Sequence, residues 1–172
     1  SGADDGKFSS IYFIDSRAAW TLLAGYETFG ERRYLDTALR WTRVMIAEQR
    51  PDGGYRMGYG ITKRGEECYV ADGGEIALGL ARVAFYATGA DRAAIRRSLD
   101  AYMGYRESFR VPTGGIGVGW CLTDYGQRPL VPLDTPTRIL APEMNTYTIG
   151  CTLGAALLHA VLTGKPEDMQ AA

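Results

Sequence analysis

The feature that most constrains the fold is an internal repeat built on glycine-rich loops. Three such loops recur, at residues 4–8 (DDGKF), 51–60 (PDGGYRMGYG) and 112–120 (PTGGIGVGW). Pairs of helical patterns lie between them, and self-similarity of this kind indicates a stack of equivalent supersecondary units. We therefore expect an all-α protein of repeated helical hairpins, with short extended segments in the glycine-rich loops.

Glycines mark the points where the two helices of each pair separate. The predicted pairs form one domain, residues 1–172, and cover residues 13–50, 72–110 and a partial third from about 145. The breaks fall at Gly30, Gly89 and Gly164. Glycine favours such positions because it adopts the left-handed backbone of a helix C-terminus at little cost. Asp91 is predicted to cap the helix that follows Gly89.

The two helices of a pair differ in character. The first is apolar and rich in small residues, so that residues 76–87 carry only one charged side chain, Arg82. The second is amphipathic and carries several arginines. A helix that is apolar on all sides is buried, whereas an amphipathic one lies at the surface. The pattern predicts an inner layer of first helices and an outer layer of second helices.

Charge and hydropathy exclude two classes of partner. The chain has 19 basic and 20 acidic residues, with no basic run, which argues against a nucleic-acid partner. No apolar stretch approaches the roughly 18 residues of a membrane helix, so no membrane partner is expected. The polar, acidic start, SGADDGKF, does not read as a signal peptide. We expect a soluble chain and assign no compartment.

Cysteine and histidine are too sparse for a metal or disulfide framework. The three cysteines, Cys68, Cys121 and Cys151, are scattered, and His159 is the single histidine. Because His159 falls within an apolar helical pattern, a packing role is favoured over catalysis. The sequence therefore predicts no cofactor and no metal site.

Three segments carry a resemblance to a known architecture: residues 49–55 (QRPDGGY), 110–116 (RVPTGGI) and 69–81 (YVADGGEIALGLA). With the two-layer hairpin repeat, they resemble α/α-toroid proteins, most closely the six-hairpin glycosidases and the related polysaccharide lyases and sugar epimerases. The resemblance implies a carbohydrate-active enzyme, or a fragment of one, that cleaves or modifies an oligosaccharide, including uronate-containing ones.

The chain holds fewer hairpins than such a toroid. Toroids of this kind usually close with six, whereas two complete hairpins and a partial third are present here. Repeat arrays bury their apolar faces against neighbouring repeats. The expectation is therefore an incomplete ring that associates with the rest of a toroid or with another copy of itself.

The resemblance places a pocket where the inner helices begin, and acidic residues occur there. A Tyr-x-x-Asp pattern precedes two apolar helices, ending at Asp15 and at Asp72. An aspartate at a helix start is an ordinary N-cap, which is the plain alternative. The functional interpretation is that one of them is a general acid or base, because glycoside chemistry uses two carboxylates that flank the sugar bond.

Asp72 is the stronger candidate of the two. Asp72 and Glu75 are three residues apart and share one face of a helix. The adjacent Gly73 and Gly74 permit close approach of a ligand to the backbone. The predicted catalytic residues are Asp72, Glu75 and Asp15. Glu66 and Glu67 fit a solvated loop better.

The glycine-rich loops supply candidate sugar contacts: Tyr55, Arg56, Tyr59 and Trp120. Aromatic faces stack on sugar rings, and arginine binds a carboxylate in a bidentate manner. The alternative is that the glycines supply tight turns while the aromatic residues anchor the loops.

The resemblance to the lyases implies further binding residues. In that group an asparagine neutralises the uronate and a tyrosine moves the proton, which implies Asn145 and Tyr147 here. Arg17 and Arg138 are candidate charge partners with a structural alternative. The proline-rich residues 130–142 are predicted to form an extended segment that serves as a lid or a wall of the pocket.

Two further functions remain open. Residues 49–55 are similar to the Q-x-x-x-G-x-W repeat of terpene-cyclase-like toroids, with Tyr55 in place of tryptophan, yet the chain has no D-x-D-D or D-D-x-x-D motif. A non-catalytic helical scaffold that binds a glycan or peptide is the second alternative. A carboxylate with a strongly shifted pKa in an open pocket would distinguish an enzyme from a scaffold.

Overall fold

The computed structural model describes residues 12–56, 68–110, 116, 120–121 and 146–164, and this part of the chain is all-α. Its five helices are α1 (Tyr12–Phe29), α2 (Arg32–Ala47), α3 (Val70–Ala84), α4 (Gly89–Glu107) and α5 (Thr146–Thr163). Two short strands, β1 (Cys68–Tyr69) and β2 (Trp120–Cys121), pair antiparallel, with Cys68 opposite Cys121. The predicted all-α class is confirmed.

Helix α3 lies at the centre and packs against the four other helices. Its small residues make this possible. A Cβ placed on Gly74 would lie 3.0 Å from the backbone of α5, and one placed on Gly79 would lie 2.8 Å from the Trp41 ring of α2. The distance at Gly79 is shorter than real side chains show, and the one at Gly74 would require the backbone of α5 to move, so glycine sets the spacing between α3 and its neighbours.

Helices α1, α3 and α5 run parallel. Near their beginnings, Arg17 of α1 contacts Glu75 of α3. Near the ends of α1 and α3, the Tyr26 and Tyr86 rings meet edge to face with centroids 6.0 Å apart. Contacts between α3 and α5 advance in the same direction, from Gly74 against Cys151 to Leu78 against Gly154. The N-terminal ends of the three helices therefore lie together.

Helices α2 and α4 each bury one face in a shared core. The period of an amphipathic helix explains which residues these are. From α2 they are Leu35, Ala38, Leu39, Trp41, Thr42 and Met45. From α4 they are Ile95, Ser98, Leu99, Tyr102, Tyr105 and Arg106. The hydrophobic part of these sets joins side chains of α1, α3 and α5 in one core cluster.

The two loops that the sequence pairs with each other close in the same way. Gln49 pairs with Tyr55, and Arg110 pairs with Ile116, each through an antiparallel bridge. The first loop is docked on α4, because the Gln49 side-chain amide donates to the carbonyls of Gly53 and Ser98, at 2.9 Å each. The repeat is therefore visible in loop geometry as well as in sequence.

The predicted aspartate N-caps are wrong for α3 and α4. Tyr69 occupies the N-cap of α3 and Thr88 that of α4. Asp72 and Asp91 lie inside the first turn instead, where the helix dipole still favours a negative charge. For α3 the reason is tertiary, because β1 pairs with β2 as far as Tyr69 and the helix begins at the next residue.

The predicted helix ends at Gly30 and Gly164 are confirmed, whereas the break at Gly89 is shifted relative to the end of α3. Gly30 and Gly164 follow α1 and α5 directly, with φ of 70° and 69°. Each donates its N–H to the carbonyl four residues earlier, at 2.8 Å, as in a left-handed helix C-terminus. Gly89 also has positive φ, 53°, but α3 ends at Ala84 and α4 begins at Gly89 itself.

Substitution of Gly53 should be strongly destabilising. Its φ is 91°, and a Cβ there would overlap the carbonyl oxygen of Ala101. We expect Gly53→Ala to lower the free energy of unfolding by more than the roughly 1–2 kcal/mol of the left-handed conformation alone. Gly104→Ala, in an open part of α4, is the matched control and should raise it by up to about 1 kcal/mol. Urea denaturation measures both, and equal effects would contradict the prediction.

The Arg43–Asp91 pair between α2 and α4 should make a small contribution to stability that is lost in acid. The Arg43 guanidinium donates to both Asp91 oxygens, at 3.0 and 2.8 Å, and these hydrogen bonds lower the pKa of Asp91. A lowered folded-state pKa gives stability that is present above the unfolded pKa of about 3.9 and is lost as pH falls through the folded value.

Asp91→Asn should therefore cost up to about 1 kcal/mol at neutral pH, since Arg43 is largely exposed. The difference from the natural sequence should disappear in strong acid. Thermal unfolding from pH 7 to pH 2 measures it. A difference that persists unchanged at the lowest pH would contradict the ion-pair explanation.

Candidate functional site

The parallel helices bring one residue from each into contact near their N-terminal ends. Arg17, Glu75 and Cys151 are each the sixth residue of their helix, in α1, α3 and α5. The Glu75 carboxylate accepts a hydrogen bond from Arg17 Nε at 3.2 Å on one oxygen and from Cys151 Sγ at 3.1 Å on the other. Glu75 thus joins all three helices.

Burial makes these contacts necessary. Glu75 is 5% exposed, and a buried carboxylate is costly unless it is paired and hydrogen-bonded. The Arg17 side chain, in contrast, is 60% exposed. Within this pair the Glu75 carboxylate is buried, whereas the Arg17 guanidinium is accessible to solvent and to ligands.

Two aspartates lie in the first turns of the same helices. Asp15 belongs to the first turn of α1 and is 9% exposed. Asp72 belongs to the first turn of α3, one turn before Glu75, and is half-buried. We call Asp15, Arg17, Asp72, Glu75 and Cys151 the acidic cluster. Four of these five residues were predicted from sequence, and the hydrogen bond of Arg17 to Glu75 joins two of them.

A tyrosine of α4 contacts the first turn of α3, next to the acidic cluster. Tyr102 is fully buried, and its hydroxyl donates to the carbonyl of Val70 at 2.7 Å. Burial raises the pKa of Tyr102 well above its ordinary value, and the charge of Asp72 adds to the effect. The phenol therefore stays neutral, and its hydrogen bond to Val70 stabilises the first turn of α3.

Tyr55 is in the core rather than at a loop rim, which corrects its predicted position. It is 1% exposed, its hydroxyl lies 2.7 Å from Ser98 Oγ, and its ring stacks on Tyr102 with centroids 5.6 Å apart. Burial raises the pKa of Tyr55. Arg56 is half-buried and donates to the carbonyl of Glu48 at 2.9 Å, where it satisfies an acceptor at the end of α2.

The remaining predicted residues are not brought into the acidic cluster by any contact described. Trp120 lies in β2 opposite Tyr69, and Tyr147 lies in the first turn of α5. The other residues predicted from sequence fall outside the described part of the chain: Tyr59, Glu66, Glu67, Arg138, Asn145 and residues 130–142. Their predicted roles stay predictions.

His159 has a structural position. It is 3% exposed, and its Nε2 lies 2.6 Å from Asp100 Oδ1. The contact joins α5 to α4 about two turns beyond Cys151.

A cavity that the sequence did not predict lies further along α1, α3 and α5. Its volume is about 300 Å³, and its lining consists of Trp20, Leu23, Ala24, Glu27, Arg82, Phe85, Tyr86 and Leu158. The Arg82 guanidinium lies 4.0 Å from the centroid of the Trp20 ring. Four residues after Arg82, the Tyr86 hydroxyl donates to the Glu27 carboxylate. We call this space the Trp20 cavity.

One sequence signal pointed towards the Trp20 cavity. Trp20, Leu23, Ala24 and Glu27 have the spacing of a single helix face. Arg82 is the only charged residue in the apolar segment 76–87. A lone charge within a buried helix needs either a partner or a solvent-filled opening, and the structure supplies the opening.

No family model, curated protein or solved structure matches this chain. Within the described ranges, no three His, Cys, Asp or Glu side chains are grouped to hold a metal ion. None of the helices in the same ranges has the length and apolarity needed to span a membrane.

Removal of Arg17 should expose the cost of burying Glu75. We expect Arg17→Ala to lower the free energy of unfolding by about 1–2 kcal/mol, less than for a fully buried pair because Arg17 is largely exposed. In a Glu75→Gln background the same change should cost less than in the natural sequence, because the two residues are coupled. Arg32→Ala, which removes an exposed pair with Asp36, is the control. Equal losses in both backgrounds, measured by chemical denaturation, would show that the pair is not coupled.

Proposed function

We propose that this chain is a carbohydrate-active protein, or part of one, that binds an oligosaccharide at the N-terminal ends of α1, α3 and α5. The observation that carries the proposal is the acidic cluster. Two carboxylates one turn apart on α3 have different surroundings, because Glu75 is buried and held at both oxygens while Asp72 is half-buried.

Different surroundings are what acid–base chemistry at a sugar bond requires. One carboxyl group must hold a proton while the other is ionised, and proteins achieve this by placing the two in unlike environments. In the proposed mechanism Asp72 donates a proton to the glycosidic oxygen as its bond to the anomeric carbon breaks. Asp15 of the neighbouring helix accepts a proton from the water that attacks this carbon, and Glu75 remains paired with Arg17.

Arg17 has a further role in this proposal. Its guanidinium is largely exposed while one of its nitrogens is held by Glu75. Arginine carries five N–H donors in a fixed plane, and a planar guanidinium of this kind binds carboxylates well. An exposed arginine beside the acidic cluster suits the carboxylate of a uronate sugar, which makes a uronate-containing oligosaccharide the preferred substrate class.

The proposal includes the α/α-toroid arrangement. It is supported by the two helical hairpins, by the parallel direction of α1, α3 and α5, and by the matching closure of the two glycine-rich loops. In a toroid the acidic cluster would lie on one end of the ring. Further hairpins, from another copy or from a longer protein, would complete the walls of the site.

A non-catalytic glycan-binding or peptide-binding scaffold is the second candidate. It is favoured by the complete engagement of Glu75, whose two oxygens link α1 and α5 to α3. A carboxylate used in this way stabilises the fold whether or not any reaction takes place. In this candidate the exposed part of Arg17 binds the ligand, and Asp72 only supports the first turn of α3.

The test separates binding from turnover. The protein and its Asp72→Asn variant are screened by thermal shift against neutral and uronate-containing oligosaccharides, and product release is followed by reducing-end and unsaturated-uronate assays. We expect one glycan class to stabilise both proteins, with turnover at least about 100-fold slower in the variant. Asp36→Asn, on the exposed face of α2, is the matched control and should behave like the natural sequence.

Two outcomes would count against the proposal. Stabilisation without any product would favour the scaffold over the enzyme. If no glycan of either class stabilises the natural sequence, oligosaccharide binding itself is rejected.

A further inference from the structure

We infer that the Trp20 cavity is a binding site for an organic carboxylate with an apolar face, and that Arg82 is the residue that binds the carboxylate group. The inference stands apart from the proposed function. It uses none of the acidic cluster and rests on the lining of the cavity.

Arg82 is a cation without an acidic partner in the described part of the chain. Its guanidinium stacks on the Trp20 ring at 4.0 Å, and no described residue forms a salt bridge with it. Stacking uses the face of the guanidinium and leaves the N–H donors, which lie in its plane, free at the edge. An edge of this kind binds a carboxylate through two parallel hydrogen bonds.

The walls beside Arg82 are apolar. Leu23 and Leu158 line the cavity together with the Trp20 ring and with Phe85, which is 45% exposed. Apolar surface of this kind gains free energy when a ligand removes it from water. A volume of about 300 Å³ lies at the lower limit of small-ligand sites. An apolar ring that carries one acidic group fits both the size and the chemistry.

Glu27, in another part of the lining, sets the orientation of such a ligand. The Glu27 carboxylate there accepts the Tyr86 hydroxyl, and this hydrogen bond raises the pKa of Tyr86. The negative charge of Glu27 repels a second carboxylate. A bound acid therefore directs its carboxylate to Arg82, and any hydroxyl group of the ligand meets Glu27.

Two sources supply this chemistry. One is a uronate sugar, whose ring has an apolar C–H face, and the other is an aromatic acid. Both present a carboxylate beside a ring that stacks on aromatic side chains. The experiment therefore uses one probe pair for each source, and each pair consists of an acid and its uncharged analogue.

The site is tested by isothermal titration calorimetry of the natural sequence with 1-naphthoate against 1-naphthalenemethanol, and with digalacturonate against lactose. We expect at least one acid to bind about tenfold or more tightly than its uncharged analogue. Arg82→Gln should weaken that binding by about 10- to 100-fold, the loss expected for a charge-assisted hydrogen bond. Arg40→Gln, an exposed arginine of α2 outside the cavity lining, should leave it unchanged.

The inference is overturned if both uncharged analogues bind as well as the acids, if neither acid binds in the millimolar range, or if Arg82→Gln binds like the natural sequence. Circular dichroism checks that the variant is folded. If it is not, the comparison of acid and analogue on the natural sequence decides. Preference for naphthoate or for digalacturonate supports the site and assigns its source. Arg17→Gln should retain acid binding at this site, whereas uronate binding at the acidic cluster would be weakened, which separates failure of this site from failure of the proposed function.

Discussion

The close approach of α3 to its neighbours is the constraint on which the rest of the structure depends. A side chain on Gly79 would meet the Trp41 ring at 2.8 Å and the Ser16 Cβ at 3.0 Å, and one on Gly74 would meet the backbone of α5 at 3.0 Å. Protein interiors do not absorb such overlaps without movement. Glycine therefore determines how far apart the helices lie, and this spacing lets the short side chain of Cys151 reach Glu75.

Much of the fold was predictable because local sequence patterns determine it. Glycines at residues 30 and 164 end their helices as expected, and the paired loops close through the same bridge. The helix starts were less predictable. Asp72 fits an N-cap by local rules, but strand pairing as far as Tyr69 moves the start of α3. That pairing joins segments distant in sequence and has no local signature.

The acidic cluster was largely predictable and the Trp20 cavity was not. Equivalent positions in a repeat fall side by side, so the beginnings of apolar helices indicated Asp15, Arg17, Asp72 and Glu75. Tyr55 was misplaced because the hydroxyl of Ser98, on α4, gives it a partner inside the core. The cavity depends on the relative positions of three helices, and a helix pattern describes only one.

The shared position of Arg17, Glu75 and Cys151 has a consequence for how such a protein diversifies. The three parallel helices place a guanidinium, a carboxylate and a thiol at the sixth residue of each helix, where the three groups meet. The backbone fixes the level, and the side chains alone decide which chemistry meets there. A single substitution at this level in any one helix therefore changes the surroundings of the other two side chains, so that the three helices together determine the local chemistry.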